Sequence, residues 1–493
     1  MIQYKSTRGS QNMKNGAQAI IKGIAEDKGL YVPDTFPKLQ AAIEDLLDCD
    51  YRQVAAAVLP QFLTDYTEEE LAHCINSAYD AKFEAEEVVP VVKANNAWFI
   101  ELYHGKTAAF KDMALSILPY LLTTAMKKEK EESKIVILTA TSGDTGKAAL
   151  EGFADVPNTE IIVFFPDAGV SQVQKQQMVT QEGANTHVFG ITGNFDDAQT
   201  GVKKIFGNAE YAEVLAKMGC KLSSANSINI GRLVPQVAYY VWSYVQLVKQ
   251  GALKAGEPMN VVVPTGNFGN ILAAYYAKQM GIPVNKFICA SNENKVLTDF
   301  INTGIYDISG REFHVTNSPS MDILISSNLE RLLFHLSGND GDEVKKLMES
   351  LDKNKKYEVS DKIKEGLKEF YGGFADETET KEAIGKLYKE NNYLMDTHTA
   401  VAYKVYQDYR TQTGDETPTV IASTASAYKF AEAVCDAVGL PKFRNGFDAI
   451  SALNAFTGVK VPKGLQNLET KKVLHTGVVD KEQLWDAVKG SLE

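Results

Sequence analysis

Asn260-Val261-Val262-Val263-Pro264-Thr265-Gly266-Asn267-Phe268-Gly269-Asn270-Ile271 is the stretch whose reading decides the fold. Its first half is a run of β-branched side chains with no polar alternation, the pattern of a strand covered on both faces. Its second half passes through two glycines into the helix-like Ile271 to Met280. Strand, glycine-rich turn, helix is the repeating unit of a parallel α/β sheet. It aims several backbone N–H groups, and the positive end of a helix dipole, at an anion beyond the strand's carboxyl end. No Lys or Arg lies in the turn, so it suits a docked cofactor phosphate better than a nucleoside triphosphate, which also needs a lysine and a magnesium ligand. Taken alone, the segment reads equally well as a plain tight turn.

Similar apolar runs recur on both sides of it: Trp98 to Leu102, Lys134 to Leu138, Ile161 to Phe165, His187 to Phe189, Val261 to Val263, Lys286 to Ala290 and Thr419 to Ala422. Helical patterns separate them, which predicts an α/β fold with parallel sheets flanked by helices. From about Thr35 to Ala94 the pattern is helical, with the capping-box spacing Thr67-Glu68-Glu69-Glu70 and with Leu71, Cys74 and Ile75 on one apolar face. Between about Thr316 and Asn392 the sequence turns charged and helical, as in Asp342-Glu343-Val344-Lys345-Lys346, and reads as a surface insertion with solvated charges. The expected division is a helical unit over 1–95, a two-lobed α/β core over 96–315, a charged helical insertion over 316–392, and a C-terminal part over 393–493 that completes the cofactor-binding lobe.

A chain of 493 residues is too long for one ordinary core, which agrees with packed lobes. The net charge of -12 gives no attraction to nucleic acid or an acidic membrane surface, so neither is an expected partner and an anionic ligand needs a local site. Cys49, Cys74, Cys220, Cys289 and Cys435 are scattered, without metal-ligand spacing. They read as reduced thiols in a cytoplasmic protein with no metal. Monomer and dimer both remain open.

Two more turns carry chemistry. Thr139-Ala140-Thr141-Ser142-Gly143-Asp144-Thr145-Gly146-Lys147 follows a predicted strand, but Thr141 and Ala148 stand where a P-loop needs Gly and Ser or Thr. What remains is a turn rich in hydroxyls and N–H donors, suited to a carboxylate or phosphate, with Asp144 expected to cap the following helix. The third segment is Glu101-Leu102-Tyr103-His104-Gly105-Lys106-Thr107-Ala108-Ala109-Phe110-Lys111-Asp112. Lys111 sits among apolar residues, where a lowered pKa favours imine formation.

Together, Phe110-Lys111-Asp112, Ser-Gly-Asp-Thr-Gly and Gly-Asn-Phe-Gly-Asn resemble the fold-type II pyridoxal phosphate enzymes (tryptophan synthase β-like), and within them the threonine synthases in their longer form with an extended N-terminal domain. The resemblance extends to Ser6-Thr7-Arg8-Gly9, Gly29-Leu30-Tyr31-Val32-Pro33, Asn226-Ser227-Ile228-Asn229-Ile230-Gly231-Arg232 and Ser423-Thr424-Ala425-Ser426, in the family's order. It departs at Lys106, where proline is expected, and at Lys28, where glycine is expected.

The resemblance implies pyridoxal 5'-phosphate bound as an imine on Lys111, its phosphate cradled by Gly266, Asn267, Phe268, Gly269 and Asn270, and the Thr424 hydroxyl against the pyridine nitrogen. Ser142, Gly143, Asp144 and Thr145 would face the amino-acid substrate, and Asn226, Ser227, Asn229 and Arg232 would grip a substrate phosphate. The implied reaction is a lyase's: O-phospho-L-homoserine and water give L-threonine and phosphate, the last step of threonine biosynthesis. A threonine or serine dehydratase-like β-eliminase on the same fold, whose substrate carries no phosphate, is the alternative. A regulatory binding protein that kept the fold but lost turnover is a more distant one.

Overall fold

The computed structural model describes residues 1–168 and 170–493. All seven apolar runs form strands, and they assort into two sheets. In the larger, Phe370–Phe374, Val284–Ser291, Met259–Pro264, Thr419–Ser423, Ala97–Glu101 and Val91–Ala94 lie side by side in that order. Every pairing is parallel except that of Val91–Ala94 with Ala97–Glu101. In the smaller, Val478–Asp480, Thr186–Thr192, Thr159–Pro166, Lys134–Ala140 and Cys220–Ser223 are all parallel.

The apolar runs lack alternation because both faces are covered. Every residue of Met259–Pro264, Ala97–Glu101 and Thr419–Ser423 is buried. The helices Gly269–Met280 and Thr397–Thr413 pack on the strands, and the almost wholly buried Ile230–Lys249 packs on Gly269–Met280. Parallel pairing has a direct consequence for function. Registers such as Ser423 opposite Glu101 and Ala290 opposite Pro264 bring the carboxyl ends of several strands to one edge, so the segments after Glu101, Pro264 and Ser423 emerge together.

The N-terminal unit has the expected helix starting after Thr67. The Thr67 hydroxyl and the Glu70 carboxylate each accept the other's backbone N–H, and Leu71, Cys74 and Ile75 are buried. The unit is not purely helical, however. Tyr4–Ser6 pairs antiparallel with Tyr31–Pro33, and Val91–Ala94 joins the larger sheet. Lys28 adopts a φ of +65°, a region that glycine enters more readily than any residue with a Cβ.

The 316–392 stretch keeps solvated charges on Gly341–Asn354, Asp361–Leu367 and Glu377–Asn391. It also supplies the edge strand Phe370–Phe374 and sends the short 3-10 turn Pro319–Met321 inward, so it is not a surface insertion throughout. The segment 393–493 likewise serves both sheets, through Thr419–Ser423 in the larger and Val478–Asp480 in the smaller, rather than completing one lobe. All five cysteines are free thiols. No described helix is long and apolar enough to cross a membrane.

Candidate active site

Where the strand Ala97–Glu101 ends, the chain is bound along the segment after Thr419–Ser423. Leu102 N–H donates to Ser423 O at 3.0 Å, Phe110 N–H to Thr424 O at 2.7 Å, and Ser426 N–H to Ala108 O at 3.0 Å. Lys111 and Thr424 are therefore held in register by backbone bonds. Asp112 tightens the loop, accepting from Thr107 N–H at 2.8 Å and from its hydroxyl at 2.6 Å. Burial still raises the Asp112 carboxyl to about 6, against the pull of those bonds.

Lys111 is buried, and its amine donates to the Ser320 hydroxyl at 3.2 Å and lies 3.8 Å from an Asp144 carboxylate oxygen. Burial lowers its pKa to about 8. Asp144 opposes that shift, while the charges of Arg232 and Lys429 add to it. Such an amine is still mostly protonated at pH 7, but its neutral, nucleophilic fraction is far larger than that of a solvated lysine.

Asp144 does not cap its helix, contrary to expectation. Gly143 is the N-cap with φ +141°, Asp144 is the first helical residue, and it is the Thr141 hydroxyl that accepts from the N–H groups of Gly143 and Gly146. The Asp144 carboxylate instead meets Lys429 Nζ at 2.8 Å and Gln174 Nε2 at 2.9 Å. Burial alone would raise its pKa; Lys429, then Lys111, more than offset this and hold it well below the usual carboxylate range. Lys429, with no exposed side-chain surface and further acceptors in Thr107 O and Gln177, thus neutralises the Asp144 carboxylate, so the turn is not closed to an anion. The half-buried Ser142 and Thr145 flank this turn.

Replacing Lys429 by Met should destabilise the chain by roughly 3–5 kcal/mol at pH 7, as breaking a buried ion pair does. Because the folded pKa of Asp144 is depressed, its contribution is present above the ordinary carboxylate pKa near 4 and is lost as pH falls further. The gap between the urea midpoints of wild type and Lys429→Met should therefore be constant above about pH 4 and begin to narrow only below it; a gap independent of pH would show that Asp144 is not the partner that matters.

From Gly266 to Ile271, no backbone N–H finds a protein acceptor among the described residues, and the helix Gly269–Met280 begins without a side-chain cap. The carbonyls of the loop are nevertheless hydrogen-bonded. Asn328 donates to Asn267 O from its backbone and its side chain, both at 3.0 Å, and Ser326 Oγ donates to Gly266 O at 2.7 Å. A Cβ on Gly266 would stand 2.6 Å from Ser320 O, so only glycine fits between this loop and the turn that meets Lys111. Phe268 takes φ +64°, and Asn270 Oδ1 accepts from Tyr239 and Tyr240 while its Nδ2 is without a partner. Free backbone N–H groups at a helix start, with no cation among them, are suited to receive an anion.

Arg232 is buried and carries no carboxylate partner among the described residues. One Nη donates to Ala225 O at 2.8 Å, and Nε is unsatisfied. Burial lowers its pKa to about 10, with only Tyr239 opposing. Asn226 and Ser227 are half-buried on the same segment, and Ser227 Oγ accepts from Asn328 at 3.2 Å, which ties them to the loop after Pro264. Asn229 departs from expectation. Its side chain donates to Ile20 O and Ser224 O and accepts from Gly231 N–H, so it shapes the segment rather than facing a ligand. Lys106 also stands apart, its amine turned to Glu151 at 2.8 Å.

Sequence reasoning missed Ser320, Asn328, Arg331 and Lys429. Arg331 is fully buried and donates to Tyr31 O, Ile228 O and Asn328, binding the N-terminal unit to the Asn226–Arg232 segment and, through Asn328, to the loop after Pro264. Thr316-Asn317-Ser318-Pro319-Ser320, an uncharged hydroxyl-rich run inside a charged stretch, was the available signal.

The family of pyridoxal-phosphate-dependent enzymes matches residues 83–425, the threonine synthase N terminus matches 3–79, and the C-terminal part of threonine synthase matches 399–489. Threonine synthase of Saccharomyces cerevisiae is 34% identical over 522 residues, covering 99% of this chain and 98% of that protein. Human threonine synthase-like 1 is 41% identical over 435 residues, covering 86% of this chain. The chain spans only 58% of that longer protein. Among solved structures, the pyridoxal-phosphate-bound threonine synthase of Brucella melitensis superposes with a TM-score of 0.88 at 34% identity, covering all of both chains.

Proposed function

The chain belongs to the threonine synthase family of fold-type II pyridoxal-phosphate-dependent enzymes, and from that premise we propose that it converts O-phospho-L-homoserine and water into L-threonine and phosphate. The observation that carries this reading is Arg232. It is a buried guanidinium with an unsatisfied Nε, on a segment next to, but distinct from, a phosphate cradle that is already complete without cations. A β-eliminase of unphosphorylated amino acids has one phosphate to bind, that of the cofactor; this chain has provision for two.

The cofactor is pyridoxal 5'-phosphate, and bound to Lys111 it supplies an electron sink for negative charge at the substrate's Cα. Its phosphate fits the free N–H groups of Gly266 to Ile271. Thr424 offers the ring nitrogen a neutral hydroxyl that has no hydrogen bond among the described residues; without a carboxylate to fix a proton there, the sink is milder and competing carbanion reactions are less favoured. The N–H groups of Asp144 and Thr145 have no backbone acceptor, and with Ser142 and Gly143 they receive the substrate carboxylate while Lys429 holds the Asp144 charge in check. Arg232, Asn226 and Ser227 hold the γ-phosphate. The Lys111 amine, released when the substrate amine takes its place, removes the Cα proton and moves protons at Cβ. Loss of a Cβ proton lets the bond from Cγ to the phosphate oxygen break, the phosphate leaving with that electron pair. A proton is then delivered to Cγ to make the methyl group, the hydroxyl of water adds at Cβ while its other proton goes to the released phosphate, and a proton returns to Cα.

The scattered free thiols fit the cytoplasm as the place of this reaction. The test is to incubate the cofactor-loaded protein with O-phosphohomoserine and assay both products. Equal amounts of phosphate and threonine are expected. Phosphate without threonine would make the protein an eliminase, and neither product would sink the proposal.

A further inference from the structure

Ser320 lies 209 residues from Lys111 in sequence, in the single 3-10 turn Pro319–Met321, which has no side-chain cap. Its anchor is a hydrogen bond from Ser320 N–H to His398 Nε2 at 3.1 Å. For Nε2 to accept, the imidazole must be neutral with its proton on Nδ1, and Nδ1 lies 2.8 Å from an Asp396 carboxylate oxygen that takes this proton's hydrogen bond. Asp396 is fully buried at the start of Thr397–Thr413. The same oxygen accepts from His398 N–H at 2.9 Å, and the other accepts from the N–H and hydroxyl of Thr399. Thr399 Oγ1 in turn accepts from Thr424 N–H at 3.3 Å. One buried carboxylate thus fixes both the hydroxyl that meets the Lys111 amine and the residue assigned to the ring nitrogen.

We propose that Asp396 and His398 are positioning residues that hold the Ser320 hydroxyl on the Lys111 amine, and that this contact raises the basicity of the amine. It rests on the assignment of Lys111 as the reacting amine. Burial and the charges of Asp144, Arg232 and Lys429 otherwise govern that basicity. Ser320 Oγ accepts a hydrogen bond from the amine, which favours the protonated form. The bond offsets part of what burial takes away and keeps Lys111 basic enough to hold a proton between its removal from Cα and its delivery elsewhere. Neither Asp396 nor His398 acts on the substrate directly; both act through Ser320. The imidazole is enclosed by the Phe430 ring, 4.7 Å away between centroids, and by the charge of Asp322, so it has little freedom to release the turn.

The test reads the amine itself. In the full chain stripped of cofactor, Lys111 is acylated by trace acetic anhydride across a pH series and quantified by peptide mass, with thermal unfolding as a control for folding. Ser320→Ala and His398→Ala should each lower the acylation midpoint of Lys111 by about half to one pH unit, since a hydrogen bond to a charged group is lost. The double variant should shift it no further than either single one. His398→Gln, whose amide oxygen can still accept from Ser320 N–H, should restore most of the wild-type midpoint. An unmoved midpoint in Ser320→Ala, or additive shifts in the double variant, would overturn the proposal, and Ser320→Ala decides it even where His398→Ala fails to fold. Because no substrate or cofactor enters the measurement, its outcome is independent of whether O-phosphohomoserine is turned over.

Discussion

Lys111→Met is expected to abolish threonine formation while making the cofactor-free chain more stable at neutral pH. The loss should be at least about 1,000-fold, because the substitution removes both the covalent anchor and the group that moves protons at Cα and Cβ. The gain follows from the same burial that makes the amine reactive. Burial depresses the folded-state pKa of Lys111 to about 8, from about 10.4 in an unfolded chain, and at 1.36 kcal/mol per pH unit that is a cost of roughly 3 kcal/mol. A depressed lysine pKa means the unfolded chain binds more protons. The cost is therefore fully present below about pH 8, shrinks between about 8 and 10.4, and vanishes above. Urea midpoints of wild type and variant should differ at pH 7 and coincide near pH 10.5. In cofactor-saturated wild type, borohydride reduction and peptide mapping should place the adduct on Lys111. An adduct on another lysine, or turnover retained by the variant, would end the assignment.

How much of this was legible in the sequence depended on how each part is fixed. The central strands were readable because full burial on both faces leaves an unbroken apolar run, and the structure only extends them by a few residues, as from Val261–Val263 to Met259–Pro264. The edge strands were not. Phe370–Phe374 carries Gly372 and Gly373 because Thr298 and Val405 press against the backbone there, and a glycine pair within a charged stretch reads as a turn. Val478–Asp480 is too short and too exposed for any periodicity. The same division runs through the site. Lys111 and the loop after Pro264 announce themselves locally, by an apolar neighbourhood and by strand, glycines and helix. Ser320, His398 and Lys429 acquire meaning only through contacts made 78 to 322 residues away, and nothing in their own neighbourhoods encodes those contacts. Asp144 was misjudged for this reason. A cap is the local solution for an aspartate at a helix start, but the fold supplies Lys429 from the other end of the chain, and a buried ion pair wins over a cap that Thr141 already provides.

Arg232→Gln should reduce kcat/KM for O-phosphohomoserine by at least about 100-fold, leave the absorption of the bound cofactor unchanged, and leave the ligand-free chain as stable as the wild type or more so. The first expectation follows from the loss of a charge-assisted contact to a dianion in a desolvated site, worth roughly 3 kcal/mol. The second follows from separation of the two anion sites. The cradle from Gly266 to Ile271 draws its donors from the backbone and includes no group of Arg232. The third is the most discriminating, because burial works against a guanidinium that has a carbonyl on one Nη, nothing on Nε and no carboxylate among the described residues. A structural arginine would stabilise the fold and its removal would cost about 3–5 kcal/mol. One kept for an anion destabilises the free protein and is repaid only when that anion binds. In the cofactor-saturated protein, whose Gly266 to Ile271 cradle is already filled, inorganic phosphate should accordingly raise the thermal midpoint of the wild type, by mass action, and not that of Arg232→Gln. Turnover of an amino acid without phosphate should suffer much less than that of O-phosphohomoserine. Loss of cofactor from the variant, a large drop in its ligand-free stability, or equal impairment of both substrates would each make Arg232 a residue of the scaffold, and the argument that separates a threonine synthase from a dehydratase would lose its physical support.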